Sequence, residues 1–334
     1  MIKYEDIRSV HLEISSLCNA SCPWCPRNFW GYPYNSGYPE TNMTLAQSKK
    51  IFQPAFLKQL QTIYVNGNFG DIVMNPEGHN IIEYFFSQNP LLEITISTNG
   101  SARGKKFWQS LGKTNAKILF CLDGLEDTHH LYRQNTVWKT ILKNAKIFIE
   151  SGGHAIWKFI KFKHNFHQIE ECKKLSQELG FKDFEIIEST RTDAPVYDKN
   201  GNLSHVLGNY DQETDFQVLF YKKRTDLILL EDILTGRKEK TQIRCETKTK
   251  QQIYISATGE VYPCCYTGFY PKTYGHGQYH QAANAQIKSF ISKNNALVYS
   301  IEECINWFDN FEQVWNKKTY DQGRLVICDD NCGI

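Results

Sequence analysis

Apolar and polar residues alternate through Val10-His11-Leu12-Glu13-Ile14, a strand-like run, and five later runs read the same way, most of them followed by a stretch of helical period. The runs fall near Val10–Ser15, Thr62–Asn66, Glu93–Ser97, Lys117–Leu122, Ile156–Phe162 and Phe184–Ile187. Helical patterns near Leu45–Leu60, Asn80–Gln88, Lys105–Leu111, Val137–Glu150 and His167–Leu179 lie between them, the last closed by Gly180 in the C-cap place. Strand-helix alternation predicts an α/β protein with a parallel sheet. Six repeats are fewer than the eight of a closed barrel, and in such sheets the chemistry sits at the C-terminal ends of the strands. From Ser189 to Arg244 the rhythm breaks into turn-rich sequence (Asp193-Ala194-Pro195, then Asp198–Asn202) and a helix, Glu213–Lys223. The remainder predicts a strand, Gln252–Ser256, a turn at Ala257-Thr258-Gly259 and a second strand, Glu260–Tyr262. Three segments follow: 1–188, a connector 189–244, and 245–334.

A chain of 334 residues that is 41% hydrophobic can bury one large core or two smaller ones, and two domains are expected. With 38 basic against 36 acidic residues the net charge is +2, which gives no field pointing to nucleic acid or to an anionic membrane. Residues Met1 to Asp6 lack the apolar centre of a signal peptide, and no run of apolar residues is long enough to span a bilayer. A cytoplasmic protein is therefore expected. In that compartment eleven cysteines argue for metal ligation rather than disulfides.

Three of them stand close together in Cys18-Asn19-Ala20-Ser21-Cys22-Pro23-Trp24-Cys25, a C-x3-C-x2-C loop at the end of the first strand. Three thiolates on one loop can each hold one iron of a [4Fe-4S] cube, leaving the fourth iron open. Structural zinc is the competing reading, but it takes four closed ligands, and the nearest histidine, His11, precedes the loop.

With Trp24 at the aromatic place, C-x3-C-x-aromatic-C resembles the radical S-adenosylmethionine (SAM) superfamily. The resemblance implies a partial (β/α)6 TIM-like barrel and a SAM-binding [4Fe-4S] cluster. It also implies reductive cleavage of SAM to a 5′-deoxyadenosyl radical that abstracts a hydrogen atom from substrate. The turn Asn66-Gly67-Asn68-Phe69-Gly70-Asp71 stands where the family carries a G-G-E-P-like turn that contacts the methionine amino group, with Asp71 for glutamate and Ile72 for proline. Ser97-Thr98-Asn99-Gly100 is similar to the S-T-N-G placed near ribose and carboxylate. Asp123-Gly124, His129 and Tyr132-Arg133 are similar to S-x-D-G and H-x-x-Y-R, which makes Arg133 a partner for the SAM carboxylate. The implied cofactor-binding set is Trp24, Gly70, Asp71, Ser97, Thr98, Asn99, Asp123 and Arg133. A helix cap for Asp123 and a surface salt bridge for Arg133 are the plainer readings.

Cys245-x13-Gly259-x4-Cys264 resembles the opening of the SPASM and twitch domains, small α+β units that carry auxiliary [4Fe-4S] clusters. Cys328-x3-Cys332 brings the thiolates to four, enough for the one cluster of the twitch form; because the usual closing spacing is C-x2-C, Cys304 remains a substitute ligand. Cys265, next to a ligand, lies where a SPASM relative carries a proton-accepting aspartate. Its thiol is a candidate catalytic hydrogen-atom donor, against the reading of a spare thiol facing away from the cavity. Cys121 in the fourth strand and Cys172 in a helix are expected to be buried as small apolar residues.

The basic stretch around Arg237–Lys250, with the tyrosines from Tyr254 through Tyr270 and Tyr274 to Tyr279, reads as a solvated face beside a cluster more simply than as a nucleic-acid site. Lys163–His167 falls on the rim, where it would line a substrate cavity or start a helix. The expected partners are a peptide substrate, with an aminosugar or nucleotide precursor as the alternative, and a reducing protein such as flavodoxin or ferredoxin. A non-catalytic iron-sulfur carrier and a zinc-stabilised RNA-binding protein are the readings from other classes.

Overall fold

The structure, a computed structural model, describes residues 1–25, 27–33, 38–188, 194–208, 242–269, 277–317, 319 and 322–333. The expected helix Glu213–Lys223, the basic residues Arg237–Lys240, Tyr270 and Tyr274 lie outside these. In chain order the strands are β1 (Ser9–Leu12), β2 (Asn28–Phe29), β3 (Tyr32–Pro33), β4 (Thr62–Val65), β5 (Glu93–Thr98), β6 (Lys117–Cys121), β7 (His154–Lys161), β8 (Asp183–Glu188), β9 (Ala194–Tyr197), β10 (Leu203–Leu207), β11 (Gln252–Ile255) and β12 (Val261–Tyr262).

Eight of them form one sheet in the order β12-β11-β1-β4-β5-β6-β7-β8. All neighbours in it pair in parallel except β11 with β12. The six strands expected from the hydrophobic pattern are β1 and β4 to β8. Their register explains the two faces. Val10 lies opposite Ile63, Ile63 opposite Ile94, Ile96 opposite Ile118 and Phe120 opposite Trp157. These side chains are all at most 1% exposed and share one core with Phe85, Trp108, Leu111 and Phe148 of the covering helices. Since side chains alternate at period two, the other face receives His11, Tyr64, Ser97 and Cys121. Cys172 and Cys121 are both buried as expected, Cys172 in this core and Cys121 on the other face, where it meets Ser97 Oγ at 3.3 Å.

Two segments depart from the simplest reading. Gln252–Ile255 and Val261–Tyr262 form the expected antiparallel hairpin, but β11 runs parallel beside β1, with Tyr254 opposite His11. Segment 245–334 thus extends the sheet of residues 1–188. The connector contributes a hairpin, β9–β10, whose Val196 and Leu207 pack with Ala20, Cys22, Tyr132 and Phe162. It therefore lies on the cysteine loop. Among the described residues no helix is long and apolar enough to cross a membrane.

Candidate iron-sulfur and SAM site

The cysteine loop leaves β1 through Ser15 and Ser16 and is pinned by bonds to distant backbone. Ser16 N donates to Thr41 O at 3.0 Å, Asp71 N to Leu17 O at 2.9 Å, and Ser21 N to Gln134 O at 3.0 Å. These bonds bring the turns after β4 and β6 onto the loop. Cys22 is buried, while Cys18 and Cys25 are half-buried. Burial, then Asp71 and the thiols of Cys25 and Cys22, pushes the Cys18 thiol well up. N–H groups point at two of the three sulfurs: Ala20 N and Asn99 Nδ2 lie 3.4 and 3.7 Å from Cys18 Sγ, and Arg133 Nη1 lies 3.8 Å from Cys22 Sγ. Donors aimed at sulfur suit thiolates bound to iron. Among the described residues no three His, Cys, Asp or Glu side chains converge as around one metal ion; in a cube each thiolate serves its own iron, so its ligands stand apart.

Asp71 is buried and occupied. Its Oδ1 accepts from Val73 N at 3.1 Å and Thr98 Oγ1 at 2.6 Å; its Oδ2 accepts from Asn99 N at 2.7 Å and Asn99 Nδ2 at 2.8 Å. Burial raises its pKa against the pull of these bonds. The carboxylate thus ties the Gly70-Asp71 turn to the Thr98-Asn99 end of β5, and Asn99 carries the tie on to Asn19 Oδ1 at 3.0 Å and to Cys18. Gly70 is where the turn presses on β1, since a Cβ there would stand 1.8 Å from Ser15 O. Ser97, one residue before this knot, faces Cys121 instead.

Asp123 is fully buried, with Oδ2 on Arg133 Nε at 2.6 Å and Oδ1 on Ile160 N at 2.7 Å. Arg133 is thus no surface salt bridge. Burial works against its charge, yet Asp123 and then the thiols of Cys121 and Cys22 hold its pKa well above the ordinary value. Arg133 Nη2 has no hydrogen-bond partner among the described residues, so it is the edge left for a ligand. His129 holds the arrangement from behind. Its Nδ1 accepts from Asp123 N at 3.1 Å, which leaves the proton on Nε2, 3.0 Å from Thr136 Oγ1. Burial lowers its pKa to about 4, so the ring stays neutral. Trp24 packs edge-on against Trp30 with ring centroids 4.7 Å apart. His164 stacks on Phe162 at 5.3 Å, and neither of its buried ring nitrogens has a hydrogen-bond partner among the described residues.

The second set of cysteines also gathers. Ile243 bridges to Gly333, and Arg244 N donates to Cys332 O at 2.8 Å, which brings the C-terminal end to Cys245. Cys332 lowers the pKa of Cys245 and is itself raised by it. Burial raises Cys328, with Cys264 and Cys245 adding to it. Thr247 and Thr267 hydroxyls lie 3.2 and 3.5 Å from the sulfurs of Cys245 and Cys264. Cys328 and Cys332 share the helix Val326–Cys332 at a spacing of four, which puts both on one face. This accounts for C-x3-C in place of C-x2-C. Cys304 is fully buried in the apolar core, and burial pushes its thiol up to about 12. Cys265 is half-buried against the core that holds Tyr254, and burial, then Cys264, raises its thiol to about 12.

Glu13 escaped the sequence reading. It passed as a polar position of an alternating strand, yet it is fully buried and accepts from Phe69 N, Gly70 N and Tyr254 Oη at 2.6–2.9 Å. A carboxylate directly before a cysteine loop, on the inward side of a strand, was the signal available.

No family model matches the chain, and no curated protein matches it. Solved structures do. Streptococcus suis SuiB bound to S-adenosylmethionine superposes over 96% of this chain and 77% of its own, at 15% identity and a TM-score of 0.55. The same protein bound to its precursor peptide SuiA matches with a TM-score of 0.55. Native anSMEcpe with bound AdoMet and Kp18Cys peptide covers 97% of this chain and 89% of its own, at 16% identity and a TM-score of 0.55. The architecture is therefore shared: this chain has the fold of SuiB and anSMEcpe, built on a mostly parallel central sheet.

Proposed function

We propose that the chain is a cytoplasmic radical SAM enzyme: a partial (β/α)6 barrel, a connector, and a twitch-type unit from residue 245. Cys18, Cys22 and Cys25 hold the SAM-binding [4Fe-4S] cluster; Cys245, Cys264, Cys328 and Cys332 hold an auxiliary one. The first cluster, when bound, supplies the electron that cleaves SAM to a 5′-deoxyadenosyl radical able to take a hydrogen atom from substrate. The observation that carries this reading is the convergence of two side chains on the cysteine loop, Asn99 from the end of β5 on Cys18 and Arg133 from the end of the helix Glu126–Tyr132 on Cys22. In it, Asp71 and Asp123 act by placing Asn99 and Arg133, since their own oxygens are taken by protein donors. Gly70 lets the turn close, and Thr98 braces Asp71. Trp24 and Ser97 stand beside the loop and on the polar face as further contacts. Arg133 Nη2 is left to meet the SAM carboxylate.

A peptide is the favoured substrate because both solved relatives hold peptides. A small molecule is the second choice. A flavodoxin or ferredoxin would deliver the electron. The decisive experiment is anaerobic reconstitution followed by dithionite and SAM. About eight irons per chain and formation of 5′-deoxyadenosine are expected. A chain that takes up iron and makes no 5′-deoxyadenosine would be an electron carrier instead.

A further inference from the structure

Burying a carboxylate requires donors for both oxygens. Those of Glu13 come from two distant parts of the chain. Its Oε1 accepts from Phe69 N at 2.8 Å and Gly70 N at 2.9 Å, on the turn that ends in Asp71. Its Oε2 accepts from the hydroxyl of Tyr254 at 2.6 Å, on β11, the strand of the hairpin that leads to Cys264. The backbone repeats the link, with Glu13 N donating to Ile255 O at 2.9 Å. Burial, then the Glu13 charge, pushes the Tyr254 hydroxyl well up, so it remains a donor. The turn packs closely on the carboxylate: a Cβ on Gly67 would stand 2.7 Å from Glu13 Oε1 and 2.3 Å from Gly70 O. Beyond the turn, Asp71 holds Asn99 and Asn99 reaches Cys18. One line of contacts therefore runs from Tyr254 through Glu13, Gly70, Asp71 and Asn99 to Cys18.

We propose that Glu13 is a positioning residue that couples the C-terminal strand β11 to the turn beside Cys18, so that the segment bearing the second cysteine set holds the first site in its binding geometry. The inference rests on the SAM-binding reading above. An apolar pair could fill the same volume without the desolvation cost, so what the carboxylate adds is a fixed place for the Phe69 and Gly70 amides.

The test uses the full chain with Tyr254→Phe, Glu13→Ala and Glu13→Gln. Two quantities are read: the SAM dissociation constant of the reconstituted protein, and amide hydrogen exchange over residues 66–71 before iron is added. Tyr254→Phe removes a hydroxyl that touches neither Cys18 nor Asn99. It should nevertheless weaken SAM binding about three- to tenfold, the worth of one hydrogen bond. It should also speed exchange at Phe69 and Gly70 about tenfold while β4 keeps its protection. Glu13→Ala should go further on both counts. Glu13→Gln, able to accept from the two amides and donate to the tyrosine oxygen, should stay within about threefold of the parent. Parent-like SAM binding in both Tyr254→Phe and Glu13→Ala would overturn the proposal, as would faster exchange spread evenly over the sheet, the mark of general destabilisation. If the parent itself fails to bind SAM, the functional reading falls, while the exchange measurement still decides whether Glu13 couples the two segments.

Discussion

Arg133 Nη1 stands 3.8 Å from the Cys22 sulfur while its Nε is fixed on Asp123 at 2.6 Å. One guanidinium thereby links a buried strand-end carboxylate to the cysteine loop. Lysine keeps the charge but cannot serve both contacts and still present a further N–H edge. Arg133→Lys should therefore keep full iron content and lose about 1–3 kcal/mol of SAM affinity. It should also lower the midpoint potential of the first cluster, since hydrogen bonds and positive charge near a thiolate favour the reduced state. Equilibrium dialysis and a potentiometric titration measure the two effects. SAM affinity and potential both unchanged would leave Arg133 a structural residue.

The loop cysteines can be tested together. Replacing Cys18, Cys22 and Cys25 with Ala should leave about four of about eight irons and abolish 5′-deoxyadenosine formation. Continued cleavage of SAM by the triple variant would refute the assignment of the site.

Stability should fall on mild acidification. Burial lowers the pKa of His11, His129 and His164 to about 4 in the fold, against an ordinary value of 6.5. Between those values the unfolded chain takes up protons that the folded chain refuses, so the stabilisation is complete above pH 6.5 and drains away as pH drops toward 4. Each histidine should cost about 2 kcal/mol by pH 5. Urea unfolding at pH 7.5 and 5.0 measures the loss, and His11→Gln, which cannot titrate, should remove about a third of it. An equal pH dependence in parent and variant would show that His11 is not the source.

The parallel strands were legible because they announce themselves locally, by period. What was not legible depends on direction or on distant partners. Cys121 reads as one more apolar strand residue, and only the register shows that it faces Ser97 on the other face of the sheet. Asp71 was expected to meet a ligand, and it meets Thr98 and Asn99, residues that become its neighbours only once β4 and β5 pair. The turn-rich connector gave no sign that Val196 and Leu207 would pack on the cysteine loop. Those contacts exist only in three dimensions.

The choice between Cys304 and Cys328 as a ligand turns on burial. Cys304 is enclosed by core residues such as Ile301 and Ile305, whereas Cys328 lies with Cys264 and Cys245. Cys304→Ala should cost about 1 kcal/mol of stability through a small cavity and leave the iron count intact. Cys328→Ala should lower iron by about four and leave reductive cleavage of SAM measurable. The reverse pattern would make Cys304 the ligand.

Cys264 and Cys265 offer the sharpest contrast, since adjacent thiols are predicted to do different work. Under the proposed assignment Cys264 is a ligand with Cys245, Cys328 and Cys332, so its alanine variant should lose the second cluster. Cys265 is half-buried and packs against the core that holds Tyr254. Its carbonyl is held by Asn68 Nδ2 at 2.8 Å, two residues before Gly70, so the thiol is tied to the turn beside the first site. With its pKa raised to about 12 it stays protonated at neutral pH, the form that can give a hydrogen atom to a carbon radical. The sulfur would then be restored by one electron and one proton, the electron coming from the flavodoxin or ferredoxin. Cys265→Ala should accordingly keep about eight irons and parent-level formation of 5′-deoxyadenosine, yet lose the normal product. In heavy water the parent's product should carry one deuterium, because an S–H exchanges with solvent before transfer. A Cys265→Ala variant that releases the normal product at the parent rate would reduce Cys265 to a packing residue, and one that loses iron would make it a ligand.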